Sequence, residues 1–365
     1  MPSHDRPAAR PPVASLARRF GHAMAMATIL LTGPAMAQSN GTQEGAAMME
    51  EELSAPGPLA GTLTLPDADR AAGDDASRAG TIADGAPVVL IVPGSGPTDR
   101  DGNSPLGIAA APYRLLAEAL AERGIASVRI DKRGMFGSAK AVPDPNDMTI
   151  EGYADDVLAW IEAIGERLPS NGGMRCVVPL GHSEGGLVAL AAMGRMSDPC
   201  GLVLVAAPGR PPGQTLREQL RVNPANAPIL DEAEGAITSL ERGERVDEGA
   251  LHPALAPLFA ADVQGFLIDA FGYDPLALVR DIAVPALVVQ GGRDLQVGEA
   301  DARALADAAP NGSLALVPDA NHVLKSVDTD DPAANLATYA DPAVPVAPEI
   351  VDAIEGFLTP LGAPE

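Results

Sequence analysis

Positive charge is scarce in this chain of 365 residues. Lysine and arginine together number 25, whereas aspartate and glutamate number 49, so the formal net charge at pH 7 is −24. A surface this acidic repels nucleic acid and anionic membranes, and it disfavours a highly anionic substrate unless a local basic pocket exists. We therefore expect no nucleic-acid partner and interpret the acidic residues as a solubilising surface.

Sequence patterns that hold cofactors are also absent. The chain contains no metal-ligand spacing, no Walker-type phosphate loop and no dinucleotide fingerprint. We therefore expect neither a metal nor a cofactor, and any chemistry would depend on the protein's own groups.

The amino-terminal apolar stretch, residues 23–31, is shorter than the ~20 residues that span a membrane. Two arginines precede it, and residues 35–37, Ala-Met-Ala, match the small-x-small rule for signal cleavage. We predict an export signal at 1–37, a loose leader at 38–56, and a periplasmic or secreted bacterial protein with no stable membrane anchor. General and twin-arginine export both remain open.

Cysteine is nearly absent. Cys176 and Cys200 each begin a predicted strand, and one helix separates the two strands. Strands joined in this way usually lie side by side, which would bring the two sulfur atoms together. An exported protein could then form a disulfide, and two separate buried thiols are the alternative.

Apolar strands alternate with helical segments along most of the chain. Strand patterns cover residues 58–65, 87–92, 125–130, 176–180, 201–205, 285–290 and 313–317, and helical spacing covers 113–123, 153–168, 186–193, 299–309 and 348–358. This alternation predicts an α/β domain over residues 57–365, built on a doubly wound, mostly parallel sheet. Residues 208–273 combine short helical pieces and many prolines with no convincing strand, and they are predicted to form a helical cap insertion.

Residues 181–185 read Gly-His-Ser-Glu-Gly and directly follow a predicted strand. A strand that turns at once into a helix forces Ser183 into strained dihedral angles, and side chains two positions away would collide in the bend. A helix of small residues and another apolar strand follow. This is the order of a nucleophile elbow, so Ser183 is the candidate nucleophile.

A serine hydroxyl needs a base to accept its proton, and the base needs an acid that orients it. His182 would point away from the neighbouring serine, and His252 lies in the predicted cap. His322, in the loop after the last predicted strand, is therefore the candidate base. Asp294 follows the preceding strand at the same sheet edge and is the preferred acid, whereas the rival Asp319 is only three residues from His322.

Stabilising the negative charge of a tetrahedral intermediate takes two backbone N–H groups. The N–H of Glu184, at the amino end of the helix after the serine, is one candidate. The loop after the first buried strand, residues 93–97, contains two glycines and would supply the other. Ser95 is our first choice there and Gly96 our second.

Five motifs carry a resemblance to a known family. They are residues 94–103, 131–134, 181–185, 290–294 and 321–325. With them the sequence resembles the α/β-hydrolase superfamily, and more narrowly the bacterial carboxylesterases grouped with serine aminopeptidase-like hydrolases. Pro93 departs from the pattern, because many members have a histidine there. The chain order Ser183, Asp294, His322 is the order of that fold's triad.

The resemblance implies a serine hydrolase that cleaves a small-molecule carboxylic ester through an acyl-enzyme. A serine aminopeptidase of the same fold is the alternative, and a binding protein without catalysis is a second. An aminopeptidase needs an acidic group near the cap for the substrate's amino terminus, and Glu232, Glu234 and Asp262 are candidates. The sequence carries no signal for the natural substrate, the acyl length or the oligomeric state.

Aromatic residues make up only 3% of the chain, and much of this small number falls in the predicted cap. Phe259, Phe266 and Phe271 are candidates for an apolar acyl pocket. Plain core packing under the cap is the equally weighted alternative.

Overall fold

The computed structural model describes residues 48–66, 82–142, 144–170 and 175–362. The predicted export signal and the predicted leader as far as residue 47 lie outside these ranges. Among the helices of the described ranges, none has the length and apolar character that crossing a membrane requires.

A single sheet of eight strands lies at the centre of the described part. The strands are β1 Met49–Ala55, β2 Leu59–Leu65, β3 Val88–Val92, β4 Ala126–Ile130, β5 Val177–His182, β6 Leu202–Val205, β7 Ala286–Gly291 and β8 Gly312–Val317. Their spatial order is β1-β2-β4-β3-β5-β6-β7-β8. Strand β2 runs antiparallel to β1 and to β4, and the other neighbouring pairs are parallel. The predicted mostly parallel sheet is confirmed.

Helices cover both faces of the sheet. They are α1 Pro112–Glu122, α2 Ile150–Arg167, α3 Glu184–Met193, α4 Pro212–Val222, α5 Leu230–Glu241, α6 Gln264–Phe271, α7 Pro275–Arg280, α8 Glu299–Ala308, α9 Pro332–Ala337 and α10 Pro348–Leu358. Alternate residues of β3 enter different cores: Val88 and Leu90 pack with α2, whereas Val89 and Ile91 pack with α1 and α10. This accounts for the unbroken apolar run of β3 in the sequence.

Strand β1 corrects the expectation of a loose leader over residues 38–56. It pairs with β2 along its whole length, from Met49 opposite Leu65 to Ala55 opposite Leu59. The strand was missed because it is an edge strand whose three consecutive glutamates give it no apolar pattern. Those glutamates are paired: one of them, Glu51, lies 2.5 Å from the Arg167 guanidinium.

The connection between β6 and β7 lies wholly within the described range 175–362, and it carries helices α4 to α7 and no strand. It spans the residues predicted to form a cap. Helices α4, α5 and α6 share an apolar core of their own, whereas Val279 of α7 packs in a core that flanks the sheet. The largest buried members of the core shared by α4, α5 and α6 are Leu216, Leu220, Ile237, Leu240, Leu255, Leu258, Phe259, Leu267 and Phe271.

The two cysteines form a disulfide. Their Cα atoms are 5.8 Å apart, and the bond joins the starts of β5 and β6. This answers the question that the sequence left open, because the parallel pairing of these two strands does bring the sulfur atoms together.

The carboxyl ends of the parallel strands meet at the opposite edge of the sheet. The loop after β3 carries Ser95, the turn after β5 carries Ser183, the loop after β7 carries Asp294 and the loop after β8 carries His322. Parallel strands therefore bring residues from distant parts of the chain to one edge, where ligands bind in open α/β sheets.

Candidate active site

Ser183 occupies the turn between β5 and α3 in a strained conformation, with φ 54° and ψ −124°. A Cβ at Gly181 would overlap the backbone oxygen of Gly185, and a Cβ at Gly185 would overlap that of Val92. The steric need for both glycines, expected from the sequence, is confirmed. The turn exposes the serine side chain at the edge of the sheet.

His322 and Asp294 are joined by a hydrogen bond of 2.8 Å between Nδ1 and Oδ2. Both side chains are buried, with exposed fractions of 8% and 0%. Because the carboxylate accepts the Nδ1 proton, the Nε2 atom of His322 keeps a free lone pair. The rival Asp319 is instead exposed and lies 3.5 Å from the Arg293 guanidinium.

Four donors surround the carboxylate of Asp294. Its Oδ1 accepts the N–H groups of Gln296 at 2.7 Å and Val297 at 2.9 Å, and its Oδ2 accepts the amide of Gln290 at 3.3 Å as well as His322. Burial raises the pKa of Asp294, but the charge of His322 and the hydrogen bonds from His322 and the two backbone N–H groups outweigh burial and hold its pKa below the ordinary value. The group is therefore ionised at neutral pH.

Ser183 and His322 line the same cavity, which has a volume of about 50 Å³. Ser183 also lines a second cavity of about 30 Å³, bordered by Arg210 and Thr215 from the segment that enters the cap. Ser95 borders both cavities. The structure thus brings together the candidate nucleophile, the candidate base and the preferred oxyanion residue.

The candidate oxyanion donors flank Ser183. Within the ranges that the structure describes, the N–H groups of Ser95, Gly96 and Glu184 have no protein acceptor. Ser95 and Glu184 line the second cavity, whereas Gly96, with φ +71°, lines neither cavity. The geometry thus favours Ser95 over Gly96 as the partner of Glu184.

His182 lies in a hydrogen-bonded chain that the sequence did not reveal. Its Nε2 is 2.9 Å from the carbonyl oxygen of His322, and its Nδ1 is 2.8 Å from the hydroxyl of Tyr113. Because a carbonyl only accepts, Nε2 carries the proton and Nδ1 accepts from Tyr113. Tyr113 in turn accepts the N–H of Gly94 at 3.0 Å. These hydrogen bonds connect the loop that carries His322 to the oxyanion loop.

Lys132 is a second buried residue that sequence reasoning missed. Its Nζ donates to the carbonyl oxygen of Gly94 at 2.6 Å and lies 3.4 Å from Oε1 of Glu184. In the sequence it stands out only as part of a family motif. Its burial could not be read there, because β4, which precedes it, reaches the oxyanion loop only through the pairing of β3 with β4.

Several charged residues near the site form ion pairs with one another. Arg100 donates to Asp131 through its backbone N–H at 2.9 Å and its guanidinium at 2.8 Å. Arg133 instead pairs with Asp156 on α2. Arg210 of the second cavity is held by Asp301 at 2.7 Å. These guanidinium groups thus have carboxylate partners within the protein.

The three cap phenylalanines do not line either cavity beside Ser183. Phe259 and Phe271 are buried in the core of the cap segment, and the ring of Phe266 packs edge-on against Tyr153 with centroids 5.9 Å apart. These contacts favour the alternative of core packing over an acyl pocket. Apolar residues of a cap need a core of their own before they can supply a pocket.

The three carboxylates considered for a substrate's amino terminus, Glu232, Glu234 and Asp262, do not line the two cavities, where Glu184 is the one carboxylate among the lining residues. Glu234 pairs with Arg221, and Glu232 accepts the backbone N–H of His252. Over the described ranges, no group of three or more histidine, cysteine or carboxylate side chains is arranged to hold a metal ion.

Comparison with known proteins identifies similar sequences. A model of the family described as "Alpha/beta hydrolase family" matches residues 88–338. The esterase EstD of Thermotoga maritima is 28% identical over 219 residues, which cover 59% of this chain and 48% of that protein. The chain therefore spans about half the length of this curated relative.

Solved structures that resemble this chain come from two further bacteria. A thermophilic esterase from Thermogutta terrifontis has a TM-score of 0.48 and 20% identity, with 86% of this chain and 100% of that chain covered. Est1E from Butyrivibrio proteoclasticus has a TM-score of 0.47 and 18% identity, with 85% of this chain and 99% of that chain covered.

Proposed function

Because the chain belongs to the α/β hydrolase family, we propose that it is a serine hydrolase that cleaves carboxylic esters through an acyl-enzyme on Ser183. The hydrogen bond between His322 and Asp294 carries the proposal, because it leaves Nε2 of a buried imidazole free beside a serine that lines the same cavity. The similarity to the esterase of Thermotoga maritima supports the choice of an ester as substrate.

In the proposed first half-reaction, His322 Nε2 takes the proton of Ser183 Oγ while Oγ attacks the ester carbonyl carbon. The oxyanion that forms is bound by the N–H groups of Glu184 and Ser95. When the intermediate collapses, the bond between the acyl carbon and the alcohol oxygen breaks. His322 returns its proton to the leaving alcohol, and the acyl group stays on Ser183.

In the second half-reaction, water attacks the acyl carbon and gives a proton to His322. Collapse of this intermediate breaks the acyl–Oγ bond, releases the carboxylic acid and returns the proton to Ser183. Asp294 stays ionised throughout, because its pKa lies below the ordinary value, and it stabilises the imidazolium. His182 takes no part as a base, because both of its ring nitrogens are engaged by Tyr113 and His322.

Hydrolysis of p-nitrophenyl esters with acyl chains of two to twelve carbons tests this proposal. We expect turnover that is lost in Ser183→Ala, with the best rates at the short end of the series, since the cavities beside Ser183 measure about 50 and 30 Å³. Aminoacyl p-nitroanilides serve as the comparison substrates. Turnover of anilides alone would replace the esterase by an aminopeptidase, and turnover of neither would favour a binding protein.

Export of the protein is a further part of the proposal. The disulfide between Cys176 and Cys200 supports it, because disulfides persist in oxidising compartments. We expect a periplasmic or secreted mature protein whose first residue is Gln38. Amino-terminal sequencing of the protein from a bacterial host's periplasm tests this, and an intact amino terminus confined to the cytoplasm would contradict it.

A further inference from the structure

We propose that Lys132 is a positioning residue that orients the peptide between Gly94 and Ser95, so that the Ser95 N–H is directed at the oxyanion. Lys132 would not touch the substrate. The inference rests on the proposed function, because it gives Lys132 a role only if a negatively charged intermediate forms on Ser183.

The first step of the argument is the geometry of one peptide unit. The carbonyl of Gly94 and the N–H of Ser95 belong to the same planar group, and in a trans peptide they point in opposite directions. Lys132 Nζ holds the carbonyl oxygen at 2.6 Å. When the direction of the carbonyl is fixed, the direction of the N–H is fixed too. The lysine therefore orients the Ser95 N–H by binding the opposite end of the same peptide unit.

The second step is the position of that peptide beside the nucleophile. A Cβ built on Gly94 would lie 3.2 Å from the Cβ of Ser183, so the backbone at Gly94 is in close contact with the serine. Ser95 lines both cavities at Ser183. In the described part of the chain its N–H has no protein acceptor. A donor in this position is available to a substrate oxygen.

The third step is that the neighbouring groups of the loop are already held. The N–H of Gly94 donates to Tyr113 at 3.0 Å, and the carbonyl of Ser95 accepts the hydroxyl of Thr98 at 2.9 Å. The carbonyl of Gly94 lies between these two groups along the backbone, and Lys132 is its hydrogen-bond donor. Without it, the Gly94–Ser95 peptide would be the one unit of this stretch free to rotate.

The fourth step concerns the cost of placing a lysine here. The side chain is 4% exposed, and burial lowers its pKa although Glu184 acts in the opposite direction. Burying an ammonium group is unfavourable unless its hydrogen bonds are made. The carbonyl of Gly94 is nearer to Nζ than Glu184 is, at 2.6 Å against 3.4 Å. The same ammonium thus contacts Glu184 and the carbonyl of the peptide unit that carries the Ser95 N–H.

The test is the rate at which Ser183 reacts with a fluorophosphonate. In this reaction Oγ bonds to phosphorus, fluoride leaves and the Oγ proton passes to His322, while the phosphoryl oxygen occupies the oxyanion site. Lys132→Met removes the donor and keeps the length of the side chain. We expect labelling of this variant to be slower by about tenfold or more, as for a weakened oxyanion donor. Lys132→Gln, which can still donate, should recover part of the rate.

Arg175→Met is the matched control. Arg175 is also a buried cation that donates to backbone carbonyls, among them Leu168 at 2.6 Å, but it lies at the opposite edge of the sheet before β5. Its loss should affect thermal stability and leave the labelling rate of the folded protein unchanged. If Arg175→Met and Lys132→Met slow labelling equally, the effect is general destabilisation and the proposal is wrong.

The kinetics of ester hydrolysis provide a second readout. An oxyanion contact acts in the transition state, so Lys132→Met should lower kcat with little change in KM. Labelling at the wild-type rate would overturn the inference even if esters are cleaved. Conversely, a wild-type protein that is labelled at Ser183 but cleaves no ester would fail the proposed function, while slower labelling of Lys132→Met would still support the role of the lysine.

Discussion

Replacing His182 by asparagine should reduce the amount by which the free energy of unfolding falls when the pH becomes acidic. Burial, together with the positive charge of His322, lowers the pKa of His182 from its ordinary value of 6.5 to about 3. In the folded protein the ring therefore stays neutral over most of the acidic range, and in the unfolded chain it takes up a proton below its ordinary pKa. The unfolded state then binds more protons, so stability falls as the pH decreases from 6.5 towards 3.

The magnitude follows from the difference between the two pKa values. Each pKa unit corresponds to about 1.4 kcal/mol, so His182 should remove about 2 kcal/mol of the free energy of unfolding between about pH 7 and about pH 5. The side chain is 5% exposed, so solvent screening reduces this figure little. Above pH 6.5 the contribution is fully present.

Equilibrium unfolding in urea, followed by the fluorescence of Trp160, measures this. Trp160 is the one tryptophan of the chain and is fully buried. His182→Asn should be less stable than the wild type at neutral pH, because it loses the contacts with Tyr113 and with the His322 carbonyl. The gap between the two proteins should narrow as the pH falls, and a gap that stays constant would refute the reasoning.

Two further predictions concern the site. Asp294→Asn should lower kcat for esters by on the order of 10⁴-fold, because an amide favours the wrong tautomer of the imidazole. Asp319→Asn, on the exposed surface, should leave kcat unchanged. Equal losses in the two variants would contradict the assignment of Asp294. Gly185→Ala should cost more than about 3 kcal/mol, because its Cβ would overlap the Val92 carbonyl, whereas Gly194→Ala meets nothing within 4 Å and should be nearly neutral in thermal unfolding.

Local sequence patterns predicted most of the sheet and the helices beside it. The apolar run of β3 and the glycines around Ser183 report constraints that act within a few residues: burial on both faces in the first case and a sharp turn in the second. Such constraints restrict the residue types at neighbouring positions and so produce a recognisable pattern. The acidic edge strand β1 has no such pattern, because it is stabilised by pairing with β2 and by arginines distant in the sequence.

Contacts between distant segments were harder to predict. The structure decides between Asp294 and Asp319, since only Asp294 reaches Nδ1 of His322. It also places Phe259 in a core of the cap segment, where the sequence left a pocket equally open. The composition of a segment shows that it contains apolar side chains but not which surface they cover.

The sequence by itself determined the alternation of strands and helices from β2 onward, the strained turn at Ser183 and the small set of histidines from which a base could come. Only the tertiary structure decided that Lys132 contacts Gly94 and that His182 joins Tyr113 to the loop of His322. The physical reason is that turns and strands follow from interactions between near neighbours in the chain. A buried hydrogen bond between segments depends on which strands become adjacent, and that is settled only when the whole sheet assembles.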